Sequence, residues 1–183
     1  MPDESSTSQF DPPATPEAWC HKAEELLGGG APLPAYDAAS DGLAAFPGHL
    51  RLRQLLALAL ARSGASRQAN ARLEELRAEG HSDEETLGML ARTHKDLAAA
   101  AADPADRRRH LGLARRCYRE AYISSRGYWS GINVAMTSLL LDERGEAAST
   151  ARDVRDACLE LWRADPGRRD RYWVLATLGE ASL

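Results

Sequence analysis

This sequence predicts an all-α fold, a right-handed α-solenoid of antiparallel helix pairs with about nine helices. Three observations carry that prediction. Between Pro16 and Asp83, small and large residues recur at matching positions of two abutting units. Alanine is abundant while aromatics make up only 6% of the chain, which suits helices packed at short range. No stretch alternates apolar and polar residues long enough to form a strand.

In the first unit Trp19 takes an early aromatic position, Ala23 a small one and Leu26 the next large one. Gly30 marks an interhelix turn, Ala35 the small position of a second helix, Gly42 and Leu43 its later contacts, and Pro47 the stop. The second unit answers with Ala57, Leu60, Gly64, Ala69 and Leu76, although Arg53 stands where Trp19 would predict an aromatic. Small residues fall where two helices approach closely and large ones where the gap must be filled. This resembles the tetratricopeptide (TPR) pattern, a helix-turn-helix unit of 34 residues.

Residues 1–14 are polar and proline-bearing and read as a disordered tail before a helical-repeat domain at 15–183. Thr15, Pro16 and Glu17 form a helix start, with a hydroxyl cap, a proline at the first position and an acid in the first turn. That helix ends near Gly28–Gly30. Pro32 and Pro34 launch a second, which stops near Pro47. A third at 49–63 is apolar on most sides. Gly64 turns the chain into a fourth at 66–79, with Ala69, Leu73 and Leu76 inward. Ser82 and Glu85 have capping-box spacing for a fifth helix at 83–102. There the repeat slips. The small residue due near 103 reappears only at Ala114, and an alanine-rich insertion of about 11 residues favours a long helix. Asp103 and Pro104 stop that helix and start the sixth, at 105–124. Its Leu111, Ala114, Cys117, Tyr118, Ala121 and Tyr122 share one side, with Arg108, Arg115 and Arg119 along the edge.

Residues 127–131 read as a tight turn before a seventh helix at 131–143 that buries Val134, Ala135, Leu139 and Leu141. Gly145 turns the chain into an eighth at 146–163, burying Ala147, Ala151, Val154, Cys158, Leu161 and Trp162. The last helix, 168–182, carries Trp173, Ala176 and Leu178. Nine is an odd number, so the apolar face of Tyr172–Leu183 lacks a cover; a piece of a longer protein, or a helix docked elsewhere, would explain it.

A chain of 183 residues with 44% hydrophobic content can bury a sizeable core. Its net charge of −4 weighs against a dedicated nucleic-acid binder. Cys20, Cys117 and Cys158 are odd in number and far apart, which fits a reducing compartment. No apolar leader follows the acidic start and no apolar run could span a membrane, so the expected location is cytoplasmic.

The segments at 127–141 and 171–183 carry a further likeness: Tyr128, Gly131, Ile132 and Asn133 in one, Trp173, Ala176 and Thr177 in the other. Together they resemble the TPR-bearing central regulatory region of the apoptosis signal-regulating kinases, often called the TRAFs-binding domain, and its bacterial relatives. The resemblance covers roughly 110–183 and implies a helical scaffold that holds partners or adjacent domains. That family's catalysis lies in a separate kinase domain, whose Gly-rich and HRD-type stretches this chain lacks. The alanine- and arginine-heavy composition points to a bacterial source.

No catalytic constellation can be assembled, so the chain does not read as an enzyme. Ser130 is one residue out of register for a nucleophile elbow and reads as a helix cap. His21, His49, His81, His94 and His110 never pair at i, i+4, and no cysteines share zinc-finger spacing; no metal and no cofactor is expected. The stretch 105–126 sets seven arginines against Asp106 and Glu120, a local +5 that leaves −9 on the remainder. It reads either as a solvated face with internal ion pairs or as a surface for an acidic protein or peptide, or for RNA. Trp19, Trp129, Trp162 and Trp173 read as packing anchors, and Cys117 and Cys158 as core thiols. Arg108, Arg115, Arg119, Tyr128, Trp129 and Asn133 are the candidate partner-binding residues of a non-catalytic, regulatory scaffold, whose partner is a protein or peptide or a flanking effector domain of the same protein.

Overall fold

The computed structural model describes residues 14–182, so the expected N-terminal tail lies, but for Ala14, outside the described residues. Among the described residues there are nine α-helices and no strand. The chain divides into two compact units, ending and beginning at Ser63 and Gly64.

The first unit holds α1 (Pro16–Gly28), α2 (Pro32–Ala45) and α3 (Leu50–Arg62). Thr15 caps α1 by accepting from the Ala18 amide at 3.2 Å, and Pro16 occupies its first turn, as the sequence predicts. Gly30 and Gly64, 34 positions apart, both have φ near +80°, a left-handed conformation that glycine adopts without strain. At the first of these turns the Ala31 amide reaches back to the Leu26 carbonyl at 2.9 Å, closing a Schellman motif. Trp19, Ala23, Leu27, Ala35, Ala38, Ala39, Leu52 and Leu55 form the core. Gly42 lets α2 approach α1, since a Cβ there would stand 2.9 Å from the Trp19 Cβ. The Trp19 indole N–H is buried without an acceptor among the described residues.

The second unit holds α4 (Ser66–Ala78), α5 (Glu84–Ala100), α6 (Pro104–Ser125), α7 (Tyr128–Leu140), α8 (Arg144–Ala164) and α9 (Arg171–Glu180). Each helix packs on the next, and α9 also touches α7. The expected insertion is realised as length. Helices α5 and α6 run 17 and 22 residues where α3 and α4 have 13, and Asp103 caps α6 ahead of Pro104. The predicted inward residues of α4 and α6 are buried, Tyr122 only in part. Ile132, Val154, Cys158 and Val174 close the core of α7, α8 and α9.

Five local expectations are corrected. The cap of α5 is Asp83, not Ser82: its carboxylate accepts from the Thr86 amide at 3.0 Å. Residues 128–131 are the first turn of α7 rather than a loop, because Gly127 serves as its cap and the Gly131 amide bonds back to the Gly127 carbonyl at 3.0 Å. Leu139, expected inward, lies outward at 55% exposure. The left-handed residue between α7 and α8 is Asp142, with φ 64°, while Gly145 lies inside α8. In α9 the buried residues are Val174 and Thr177; Trp173 lies outside at 62% exposure, edge-on to Tyr172, so it is no packing anchor.

Candidate functional site

Two faces of the second unit carry the predicted residues, and they do not coincide. One is built by α5, α7 and α9, the first members of successive couples. Trp129 leaves the first turn of α7 and lays its ring over Gly88 of α5, where a Cβ would stand 2.6 Å from the ring. The indole also meets Tyr118 edge-to-face at 5.7 Å. Asn133, one turn on, donates to the Trp129 carbonyl at 2.9 Å and accepts from Lys95 Nζ at 3.2 Å. Burial, then the Arg92 charge, lowers the Lys95 pKa, against the pull of Asp96 and Glu180. Past Asn133 the same side of α7 presents Met136 and Leu140. The positions 129, 133, 136 and 140 are spaced four, three and four, one helical stripe. Trp129, Met136 and Leu140 are each 43–49% exposed. Tyr128 points elsewhere. Its hydroxyl donates to Asp170 at 2.9 Å, and burial with that hydrogen bond pushes its pKa up to about 12. Its placement is that of a strut between α7 and the turn before α9.

The other face belongs to α6 and the start of α8. Arg115 is ion-paired with both Glu143 and Glu146, and Arg119 with Glu146 at 3.2 Å. Arg108 and Arg116 have no ion pair among the described residues. Around Gly112, Arg108, Arg109, Arg115, Arg116 and Arg119 edge an open hollow of about 600 Å³ formed by α6 alone. The six predicted residues are thus split: three arginines on a second helix, Trp129 and Asn133 on the first-helix face, Tyr128 inside.

Ser130, fully buried, shares its one hydroxyl proton between Glu84 at 2.8 Å and the Gly127 carbonyl at 2.9 Å, which ties α7 to α5. It lies within the helix and is not its cap. Burial raises the Cys117 thiol to about 11 and raises Cys158 as well, so both stay protonated near neutrality, as core thiols would. Sequence reasoning missed one polar cluster. His94, 3% exposed, faces His110 across α5 and α6 with their Nδ1 atoms 3.2 Å apart. One proton arrangement satisfies the run of contacts from Arg109 to Glu74, with Asn70 Nδ2 as a further neighbour 3.4 Å from His94 Nδ1. Arg109 donates to His110 Nε2 at 3.1 Å, His110 Nδ1–H donates to His94 Nδ1, and His94 Nε2–H donates to Glu74 at 3.4 Å. Both rings are then neutral. Only the packing of two lengthened helices brings these residues together, and no local spacing signals it.

A fold of stacked helix couples with an exposed stripe on a first helix defines a helical-repeat protein with a surface available for contact. Comparison with known proteins specifies the class. Residues 34–140 match the family described as Tetratricopeptide Repeats-Sensor, and the chain belongs to that family. Among solved structures it is similar to TTC0263, a thermophilic TPR protein in Thermus thermophilus, with TM-score 0.69 and 19% identity over 91% of this chain and 90% of that one. It is also similar to MamA, with TM-score 0.59 and 12% identity over 87% of this chain and 92% of that one. At those identities the likeness speaks for the fold, the TPR class of α-solenoid. No curated protein gives a significant match. No helix among the described residues is long and apolar enough to cross a membrane.

Proposed function

We propose that this protein is a non-catalytic regulatory scaffold that takes a protein or peptide partner on the α5/α7/α9 face of its second unit. The observation that carries this reading is the exposed stripe of Trp129, Met136 and Leu140 on α7, with Asn133 half-buried between them. Apolar side chains at helical spacing, beside a polar pair such as Asn133 and Lys95, suit an extended or helical segment that fills the apolar row and bonds to the amide. The arginines of α6 serve the same reading only as a rim for an acidic partner, since Arg115 and Arg119 are already paired within the unit. The finer kinship with the TRAFs-binding region of apoptosis signal-regulating kinases, a bacterial source, a cytoplasmic location and a single repeat domain at 15–183 belong to this proposal and rest on the sequence.

The test is a pull-down from the source cell with the native chain, a Met136→Glu/Leu140→Glu variant and an Arg108→Glu variant. A partner held by the native chain and lost from the stripe variant, while that variant keeps its helicity, supports the reading. An identical set of retained proteins overturns it.

A second reading is favoured by the word Sensor in the family description. The same face would then hold a flanking effector domain of a longer gene product. In a longer native protein, protection of Met136 and Leu140 from solvent that disappears in the isolated chain would distinguish it.

A further inference from the structure

We propose that the cleft between the C-terminal half of α6 and the first turns of α8 is an oxyanion-binding site, fitted to a carboxylate or phosphoryl group carried beside a short apolar moiety. The cleft has a volume of about 420 Å³, within the range of small-molecule sites. Its lining includes none of Trp129, Asn133, Met136 and Leu140, and it does not depend on the function assigned to that stripe.

Three kinds of donor converge there. The first is the start of α8, a 21-residue helix whose cap residue, Glu143, makes no side-chain cap. The Gly145 and Glu146 amides lie in its first turn, where unsatisfied N–H groups and the helix dipole favour an anion. A Cβ at Gly145 would meet nothing within 4 Å, so the backbone is open to approach. The second is cationic. Arg119 uses Nη1 on Glu146 and keeps its other N–H groups, and Arg126 makes no ion pair among the described residues. Arg126 caps α6 in the left-handed region at φ 55°, with its guanidinium 5.8 Å from the Tyr122 ring.

The third donor points to a ligand independently of the helix terminus. Thr150 lines the cleft, is only 8% exposed, and makes no hydrogen bond to any described residue. Its oxygen is not among the sealed, unsatisfied atoms, so it is reachable from the cleft. With no partner among the described residues, that hydroxyl is free to donate to an oxyanion seated between Arg126 and the α8 amides. The Glu146 carboxylate is no obstacle, because Arg115, Arg119 and the Ser138 hydroxyl already hold it. Exposed Ile123 and buried Val134, also lining the cleft, offer the apolar contact.

The experiment is an amide-resolved NMR titration of the full chain at constant ionic strength, with inorganic phosphate in one arm and acetate in the other. Saturable shifts confined to Gly145, Glu146, Thr150 and the Arg126 side chain are expected in at least one arm, and the tighter arm names the oxyanion. Arg126→Gln and Thr150→Val should each weaken that binding at least tenfold, while Arg108→Gln, outside the cleft, leaves it unchanged. No saturable shift in either arm, shifts spread evenly over the α6 arginines, or equal affinity in Arg126→Gln would each overturn the proposal.

Discussion

Replacing Gly88 with alanine tests whether the Trp129 ring is seated on the backbone of α5. The new Cβ would stand 2.6 and 2.8 Å from two ring atoms, about 1 Å inside ordinary carbon contact. Because the ring is 45% exposed, it can swing outward instead of straining the core. Leaving its seat would expose roughly half of the ~250 Å² a large aromatic can bury. At about 25 cal/mol per Å² that loses about 3 kcal/mol. Alanine returns about 1 kcal/mol through its better helix propensity. The net is a destabilisation of about 2 kcal/mol, or a fall in Tm of about 4–8 °C for a chain of this size. Circular dichroism melting of Gly88→Ala, Trp129→Ala and the double variant completes the test. With the indole gone, Gly88→Ala should become stabilising by about 1 kcal/mol, because only the propensity term remains. The same cost in both backgrounds, or a neutral Gly88→Ala in the native one, would show that the ring does not rest on Gly88.

Further expectations follow from the ion pairs, the histidines and the buried indole. Arg115→Glu gathers three carboxylates at 115, 143 and 146 and should lower Tm by several degrees, whereas Arg108→Glu on the same helix should stay within about 0.5 kcal/mol of native; equal melting of the two variants would contradict the pairing. His94 and His110 both titrate below the usual imidazole range, chiefly through burial. His94 is pulled down further by His110 and Arg109 and up by Glu74. For His110, Arg109 and Arg67 act downward and Asp106 upward. A depressed folded pKa means the unfolded chain takes up protons first. This contribution is therefore complete above about pH 6.5 and is lost as pH falls through the folded values. Tm measured from pH 7.5 to 5.5 should fall less steeply in a His94→Gln/His110→Gln variant, and parallel profiles would remove the histidine chain as the cause. Trp19→Phe deletes an indole N–H that has no acceptor and should cost under about 1 kcal/mol, against about 3–5 kcal/mol for Trp19→Ala; chemical denaturation of both variants checks the order.

The helices were legible because their signals are local. Thr15 with Pro16, Asp103 with Pro104, and Gly30 with Gly64 punctuate the chain where backbone chemistry requires it. The start of α7 carries no local signal, because Gly127 caps it with no side chain and Gly131 marks close packing instead of a turn. A Cβ on Gly131 would sit 2.5 Å from Val154. Asp142 takes the left-handed position usually given to glycine, so Gly145 points to a turn three residues late. The candidate faces were half legible. Spacing put Arg108, Arg115 and Arg119 on one edge, but nothing in the spacing says that Glu143 and Glu146 come round on α8 to neutralise two of them. The repeat position of Trp173 points inward, yet Val174 takes the inward direction in α9.

The seat of Trp129 on Gly88 also gives this protein an intrinsic optical probe. An indole half open to water, with one edge against Tyr118 and its tip on bare peptide, should change its emission when a neighbour lands beside Met136. In a Trp162→Phe/Trp173→Phe background, collisional quenching by iodide would then measure occupancy of the stripe without a dye, since Trp173, 62% exposed, would otherwise be quenched as well. Trp19, sealed in the other unit, contributes a constant background to that signal.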